Sequence, residues 1–244
     1  MDMNLHGNND VLLVILPGLL CDGRMFDQQL AAFPGGMVVD GYYGGTDSID
    51  AMAEYALERM PPRCALLGHS MGARVALEVY RKEPDRVTRL ALADTGIHPV
   101  RAGEREKRYA LRDLGRTQGF GALVDAWLPG MIGHDCRADA RLYGVLRAMC
   151  MAAGQSIYEA QIEALLGRPE VGTLLPKIHC PVSVIVGELD EWSPVEQHRE
   201  IAGLIQHATL QVVAGAGHMA PAEMPDDFNN ALRAWCALDS VPVS

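Results

Sequence analysis

The stretch that decides the fold is CALLGHSMGARVALEVYR at residues 64–81. Its first four residues, Cys64–Leu67, form a short apolar run of the kind found in strands that are covered on both faces. From Met71 to Arg81 the apolar residues follow helical spacing. The turn between them, Gly68-His69-Ser70-Met71-Gly72, sets a serine among small residues, where a strand and a helix approach closely and the serine side chain stands clear of the sheet. This stretch therefore predicts a nucleophilic serine, Ser70, on a strained turn.

Short apolar runs alternate with helical stretches on both sides of this turn. Ser48 is predicted to cap the helix Ile49–Met60, which ends at Pro61-Pro62. The repeated order of strand and helix predicts a parallel sheet in a three-layer α/β fold. The further strands are predicted at Val11–Leu16, Met37–Val39, Val87–Ala93, Val182–Val186 and Leu210–Val213, and the further helices at Pro194–Leu204 and Asp226–Ala237.

The alternation stops between about His98 and Gly172, where the pattern is helical only. The run RAGEREKR at residues 101–108 mixes charges of both signs, as a solvent-exposed helix face does. Because the strands on both sides of this region need one sheet, we predict a single α/β core, residues 1–97 and 172–244, interrupted by a helical cap at residues 98–171. The helices of the cap are predicted near Arg101–Gln118, Phe120–Trp127, Ala138–Ala153 and Ile157–Leu166.

The composition argues against several classes of function. Of the 244 residues, 49% are apolar, and 21 Lys and Arg against 31 Asp and Glu give a net charge of −10. An acidic surface repels phosphates and anionic membranes, so we expect neither nucleic acid nor a membrane as a partner. The polar N-terminus lacks the basic segment of an export signal, and the six cysteines include no CxxC pair, which favours a cytoplasmic protein with free thiols. No cluster has metal-ligand spacing and no glycine loop suits phosphate, so we expect no metal and no cofactor.

A nucleophilic serine needs a base, and the base needs an orienting acid. Of the eight histidines, His218 is best placed, since it follows the predicted strand Leu210–Val213 on a glycine-rich turn. Asp190 is predicted as the acid because it lies on the loop after the strand Val182–Val186. Asp94, which also follows a predicted strand, remains the alternative. The histidines expected at surface or loop positions are His179, His198 and His207.

With its candidates in the chain order Ser70, Asp190, His218, the sequence resembles the α/β-hydrolase superfamily over nearly its whole length. The matching pieces are LPGL at residues 16–19, GHSMG at 68–72, GELD at 187–190 and GH at 217–218. The resemblance implies a three-layer core with a mostly parallel sheet, and a helical cap inserted after the sixth strand of the family.

The resemblance also implies an oxyanion hole. One donor is the N–H of Met71, the residue after the nucleophile, and the other is the N–H of Leu19, with Leu20 as the alternative in the same loop. Relatives often carry His-Gly where this chain has Pro17-Gly18. Only about ten residues precede Val11, so the first two strands of the family sheet are expected to have no counterpart.

The function implied by the resemblance is that of a cofactor-free serine hydrolase acting on small to medium, largely apolar carboxylic esters through an acyl-enzyme. Thioester hydrolysis, lactone opening and carbon–carbon bond hydrolysis use the same three side chains and remain open. A ligand-binding receptor on the hydrolase scaffold is the alternative from another class. An apolar pocket beneath the cap is expected to be lined by Leu20, Trp127, Met131, Tyr143, Met149, Trp192 and Met219.

Overall fold

Six strands form one sheet in the computed structural model, which describes residues 12–238. The strand order is β2-β1-β3-β4-β5-β6, and every neighbouring pair is parallel. The predicted strand at Val11–Leu16 is confirmed from Leu13 onward, and Val11 lies outside the described residues. The strand bounds are β1 Leu13–Leu16, β2 Met37–Val38, β3 Cys64–His69, β4 Val87–Ala93, β5 Val182–Gly187 and β6 Thr209–Val213.

Helices follow most of the strands, as the alternating pattern predicts. Ser48 caps one of them, since its hydroxyl oxygen accepts the N–H of Ala51 at 3.2 Å. The two helices predicted at Ala138–Ala153 and Ile157–Leu166 form one element in which Gly154 leaves the helical conformation (φ 79°, ψ 171°). The helix bounds are α1 Asp27–Ala32, α2 Ile49–Arg59, α3 Met71–Lys82, α4 Glu104–Gln118, α5 Phe120–Trp127, α6 Ala140–Leu166, α7 Val195–Leu204, α8 Ala220–Glu223 and α9 Pro225–Cys236.

Two apolar layers cover the two faces of the sheet. Successive residues of β1 alternate between them, with Leu13 and Ile15 in one layer and Val14 and Leu16 in the other. Helices α2, α3 and α7 complete the second layer, while α1, α9 and the helices between β4 and β5 complete the first. Each fully buried aliphatic side chain of this kind contributes about 1.5–3 kcal/mol through burial. The short apolar runs of the sequence are therefore strands packed on both faces.

The strand order brings several loops to one edge of the sheet. From β1 the chain passes to β2 on one side and then crosses to β3 on the other, so the order reverses between β1 and β3. In open parallel sheets, ligands bind in the crevice at the carboxyl ends of the strands beside such a reversal. The loops after β1, β3, β4, β5 and β6 all end at this edge. Helices α4, α5 and α6 lie between β4 and β5 in the chain and supply side chains to the same region.

None of the helices in the described part of the chain combines the length and the apolar character that crossing a bilayer requires.

Candidate active site

Ser70 occupies a tight turn between the last residue of β3 and the first residue of α3. Its backbone has φ 55° and ψ −116°, a conformation that non-glycine residues adopt at a cost of about 1–3 kcal/mol. The flanking glycines are required by space. A Cβ on Gly72 would lie 2.0 Å from the carbonyl oxygen of Leu16, and one on Gly68 would lie 2.5 Å from that of Gly72. The Gly-x-Ser-x-Gly pattern thus lets α3 pack against β1 while Ser70 stays at the edge of the sheet.

Three of the predicted side chains form a continuous hydrogen-bonded series. The Nε2 atom of His218 lies 2.8 Å from Ser70 Oγ, and its Nδ1 atom lies 2.8 Å from Asp190 Oδ2. An ionised Asp190 accepts a hydrogen bond from Nδ1–H and so fixes the tautomer, which leaves Nε2 free to accept the hydroxyl proton of Ser70. This arrangement can remove a proton from Ser70 and stabilise the imidazolium that results.

The loop after β5 holds the carboxylate of Asp190. Its Oδ1 accepts the N–H groups of Trp192 and Ser193 at 2.8 and 2.9 Å, and its Oδ2 accepts the hydroxyl of Ser193 at 2.7 Å. Burial alone would raise the pKa of Asp190, but the charge of His218 and these hydrogen bonds outweigh it and lower the pKa to about 2. The carboxylate beside His218 is therefore ionised at neutral pH.

Asp94, the alternative acid, has different partners. It is fully buried, its Oδ1 accepts the N–H of Gly187 at 2.8 Å, and its Oδ2 lies 3.7 Å from the Nε2 atom of His69. Burial, with the nearby charge of Asp190, raises the pKa of Asp94 well above its ordinary value. The structure thus joins Asp190, and not Asp94, to His218.

Two further histidines are buried around the site. His69 donates from Nε2 to the carbonyl oxygen of His218 at 2.8 Å, and burial lowers its pKa to about 3. The sequence interpretation of His198 as a surface or loop residue is wrong, because this side chain of α7 is fully buried. Its Nε2 accepts the N–H of Thr95 at 2.8 Å, its Nδ1 donates to Pro194 at 3.2 Å, and burial lowers its pKa to about 4. Neutral His198 therefore anchors the loop after β4.

Two backbone amides near the Ser70 turn have no acceptor among the described residues. The N–H of Met71 begins α3 and has no acceptor within that helix. Gly18 brings the loop after β1 close to the nucleophile turn, since a Cβ there would lie 3.0 Å from Ser70 Cβ. The next amide, that of Leu19, has no acceptor among residues 12–238. By contrast, the N–H of Leu20 donates to Gln161 Oε1 at 2.9 Å and is already used.

A cavity of about 360 Å³ opens above Ser70 and His218. Of the apolar residues predicted to line it, Trp127, Met131 and Trp192 do so, together with Leu19 and Met71. The prediction is wrong for the other four, which the cavity lining does not include: Leu20, Tyr143, Met149 and Met219. Three of them are buried in the apolar layer of the sheet, while Tyr143 is partly buried with its hydroxyl 3.5 Å from Asp125. Their apolar character indicates core packing as readily as a pocket wall.

Charged side chains make up much of the remaining lining, and the sequence interpretation missed them. The run at residues 101–108 was predicted to be a solvated face, yet Arg108 is only 9% exposed and pairs with Glu104. Arg74 lies in the first turn of α3, four residues after Ser70. This short spacing is visible in the sequence and could have identified Arg74 as a residue of the site. The cationic side chains that line the cavity are Arg74, Arg101, Lys107, Arg108 and Arg168.

Glu223, also absent from the sequence interpretation, organises the loop that carries His218. Its carboxylate accepts the N–H groups of Gly217 at 3.0 Å and Met219 at 2.9 Å, which flank the histidine. It also accepts the N–H of Gly133 at 2.8 Å, from the segment before α6. Burial raises the pKa of Glu223 although these hydrogen bonds oppose the shift. One carboxylate thus ties the His218 loop to the inserted helices.

The thiol nearest the site is Cys21, in the loop after β1. It is buried, donates weakly to the carbonyl oxygen of Leu19 at 3.3 Å, and burial raises its pKa well above the ordinary value. A protonated thiol of this kind is a poor nucleophile. All six cysteines lie in the described residues and are unpaired. In the same residues no group of three or more His, Cys, Asp or Glu side chains is placed to hold a metal ion.

Comparison with known proteins gives one family. The model of the alpha/beta hydrolase family matches residues 11–231. Among curated proteins, the chain is 25% identical over 197 residues to the sn-1-specific diacylglycerol lipase ABHD11 of Mus musculus, covering 71% of this chain and 59% of the lipase. It is 24% identical over 204 residues to the pimeloyl-[acyl-carrier protein] methyl ester esterase of Photobacterium profundum, covering 77% and 76% of the two chains.

Solved structures show the same architecture. A malate-bound esterase from Thermogutta terrifontis has a TM-score of 0.82 and 25% identity, covering 93% of this chain and 90% of its own. The enol-lactonase from Burkholderia xenovorans LB400 has a TM-score of 0.80 and 24% identity, covering 97% and 95%. At such identity the second match supports the fold alone.

Proposed function

This chain belongs to the α/β-hydrolase family, and we propose that it is a serine hydrolase that cleaves carboxylic esters through an acyl-enzyme formed on Ser70. The observation that carries the proposal is the continuous series of hydrogen bonds from Ser70 Oγ through His218 to Asp190, with 2.8 Å at each side of the imidazole. The relatives named as esterases and as a lipase support esters as the substrate class.

In the first half-reaction, Ser70 Oγ attacks the carbonyl carbon of the ester while His218 Nε2 takes the hydroxyl proton. Asp190 keeps the imidazole oriented and stabilises its positive charge. In this mechanism the carbonyl oxygen becomes an oxyanion, which the N–H groups of Leu19 and Met71 stabilise by several kcal/mol. Collapse of the tetrahedral intermediate breaks the bond to the alkoxy oxygen, and His218 gives its proton to the departing alcohol.

In the second half-reaction, water replaces the alcohol and attacks the acyl carbon. His218 Nε2 takes a proton from the water, and the Leu19 and Met71 amides again face the oxyanion. The bond to Ser70 Oγ then breaks, His218 returns the proton to that oxygen, and the carboxylic acid leaves. The same three side chains therefore serve both steps, and no further group is consumed.

We propose further that residues 98–171 act as a cap over the core formed by residues 1–97 and 172–244. The helices α4, α5 and α6 lie in this range, and Trp127 and Met131 from it line the cavity next to Leu19 and Met71. A cavity of about 360 Å³ suits a small or medium acyl group. The apolar side chains on its walls favour the hydrocarbon part of such a group.

The proposal is tested by turnover of p-nitrophenyl acetate and butyrate with the purified protein and with Ser70→Ala. We expect the variant to lose at least about 10³-fold in kcat, as removal of a nucleophile in such a site does. Ser48→Ala, at the cap of α2, is the matched control and should retain full turnover. A pure receptor on this scaffold would hydrolyse neither ester, and equal activity in Ser70→Ala would exclude Ser70 as the nucleophile. Thioester, lactone and carbon–carbon substrates in the same assay rank the alternative reactions.

A further inference from the structure

The charge of the cavity is opposite to the charge of the chain. The whole sequence has a net charge of −10. The cavity beside Ser70 is nevertheless lined by five cationic side chains, from Arg74, Arg101, Lys107, Arg108 and Arg168. Its acidic lining residues are Glu104, whose pKa is lowered to about 2, and Asp94, whose pKa is raised by burial. A local excess of positive charge in an acidic protein attracts an anionic ligand to this opening.

Glu104 neutralises only part of this excess. Its carboxylate pairs with Arg168 at 2.7 Å and with Arg108 at 2.9 Å, so one negative charge serves two guanidinium groups. Arg101 and Lys107 are exposed and make no ion pair among the described residues. Glu104 therefore partly neutralises Arg108 and Arg168. The charges of Arg101 and Lys107 are not neutralised by an ion pair among the described residues.

Among the five cations, Arg74 is the one that is buried and has no carboxylate partner in the described residues. It is 5% exposed, and within residues 12–238 no carboxylate lies at ion-pair distance from it. It donates to the backbone carbonyl of His98 at 2.8 Å and weakly to that of Pro169 at 3.5 Å. These bonds use two of its five N–H groups. Burial, together with the charge of Arg168, lowers its pKa to about 10, which still leaves it charged at neutral pH. A buried cation without an anion is costly, and an anionic ligand removes that cost.

We propose that the natural ester carries a second functional group, a carboxylate, which pairs with Arg74 while the ester carbonyl lies at Ser70. The proposal rests on the proposed ester hydrolysis. Arg74 is the fourth residue of α3, about 4.5 Å of helix rise beyond Met71, the residue that follows Ser70. A carboxylate a few bonds from the ester carbonyl spans such a distance. The guanidinium group matches a carboxylate with two parallel hydrogen bonds, which fixes the orientation of the substrate as well as its charge.

The test compares two esters of nearly equal shape, ethyl hydrogen succinate and its neutral amide analogue ethyl succinamate. We expect the wild-type protein to favour the anionic ester by at least tenfold in kcat/KM, and Arg74→Gln to reduce this preference to about one. Arg74→Lys keeps the charge but loses the planar fork, so it should retain part of the preference. The matched control is Arg86→Gln. Arg86 also donates to backbone carbonyls, those of Met60 and Pro61, but it precedes β4 at the other end of the strands. This variant should keep the full preference.

A binding measurement separates this proposal from the proposed hydrolysis. Succinate and succinamide are titrated calorimetrically into Ser70→Ala and into the double variant with Arg74→Gln, with folding checked by circular dichroism. We expect succinate to bind Ser70→Ala at least tenfold more tightly than succinamide does, and to lose this advantage in the double variant. Equal binding of the two compounds, or an advantage that survives Arg74→Gln, would overturn the proposal. Binding of inorganic phosphate in place of succinate would also overturn it, as it would indicate a phosphorylated ligand.

The two proposals fail in different ways. If p-nitrophenyl acetate is hydrolysed but the anionic ester gains nothing over the neutral one, the carboxylate proposal is wrong and the hydrolase proposal stands. If succinate binds through Arg74 but no ester is hydrolysed, the cavity is an anion site and the hydrolase proposal is wrong.

Discussion

At the scale of single residues, two aspartates at the ends of neighbouring strands have opposite electrostatic surroundings. For Asp190 after β5, the charge of His218, together with hydrogen bonds from His218, Ser193 and the backbone, outweighs burial and lowers the pKa to about 2. Asp94 after β4 receives one backbone N–H and little else, so burial raises its pKa. The sequence could not separate them, because both follow a buried strand. Partners supplied by distant loops decide which one stays charged beside the histidine.

Substitution by asparagine should separate the roles of these two residues. Asp190→Asn removes the charge that orients and stabilises the His218 imidazolium, and we expect kcat on p-nitrophenyl butyrate to fall by about 10⁴. Asp94→Asn should cost about tenfold or less, through small changes in cavity geometry. Steady-state kinetics of the two purified variants, with circular dichroism as the folding control, test this. A larger loss of kcat in Asp94→Asn than in Asp190→Asn would show that Asp94, and not Asp190, is the acid.

The raised pKa of Asp94 also predicts a dependence of stability on pH. A buried carboxyl whose folded pKa is raised takes up a proton on folding, so its contribution to stability is lost as the pH rises from the unfolded pKa towards the folded one. Asparagine has no such proton. The stability of Asp94→Asn relative to wild type should therefore rise with pH, by up to about 1.4 kcal/mol for each unit. Urea unfolding of both proteins at pH 5 and pH 8 measures this. A constant difference between the two proteins would contradict it.

At the scale of elements, the sequence predicts the six strands and four helices of the core, α2, α3, α7 and α9, but it does not predict the short helices α1 and α8. Runs such as Leu13–Leu16 are short and apolar and end at residues that break regular structure, here Pro17-Gly18, so their limits are visible in the chain. The break inside α6 is also visible in the sequence, because it falls at Gly154, and glycine adopts a positive φ easily. The burial of Arg108 and its pairing with Glu104 could not be predicted from the sequence. A run of mixed charges looks the same on a solvent-exposed helix face as on one that contacts the loop after α6, where Arg168 also pairs with Glu104.

The close approach of α3 to β1 gives a prediction about glycine. Gly72→Ala places a Cβ against the backbone of Leu16 and Pro17, which cannot move aside, so we expect a loss of about 3 kcal/mol in the free energy of unfolding. Gly144→Ala is the matched control within α6, where the added Cβ meets no atom within 4 Å. It should stabilise the protein by about 0.5–1 kcal/mol, because alanine loses less conformational freedom in a helix. Urea denaturation of both variants tests this, and equal effects would contradict the packing described for Gly72.

At the scale of the whole molecule, the candidate site lies at the carboxyl ends of the strands, and residues of α4, α5 and α6 line the same cavity. The fold and the positions of Ser70, His218 and Asp190 follow from strand ends that the sequence displays. The lining of the cavity does not, because it depends on how α4 to α6 pack across the sheet edge. Four of the seven predicted apolar lining residues lie elsewhere. The cations that line the cavity come from α3, from α4 and the segment before it, and from the segment after α6.

The size of the cavity should limit the length of the acyl chain. The cavity of about 360 Å³ accepts a short chain, whereas a long one needs the inserted helices to move. We therefore expect kcat/KM for p-nitrophenyl esters to fall steeply between butyrate and palmitate. Equal values for acetate and palmitate would indicate an open groove instead of a cavity.

The most direct test of the whole account is covalent labelling with a fluorophosphonate ester, followed by peptide mapping. Such a reagent reacts with a serine whose proton a neighbouring base removes and whose oxyanion is stabilised. We expect one adduct, on Ser70, with labelling abolished in Ser70→Ala and strongly slowed when His218 is replaced by alanine. An adduct on Ser48, Ser193 or another serine, or labelling at an unchanged rate without His218, would contradict the proposed roles of Ser70 and His218.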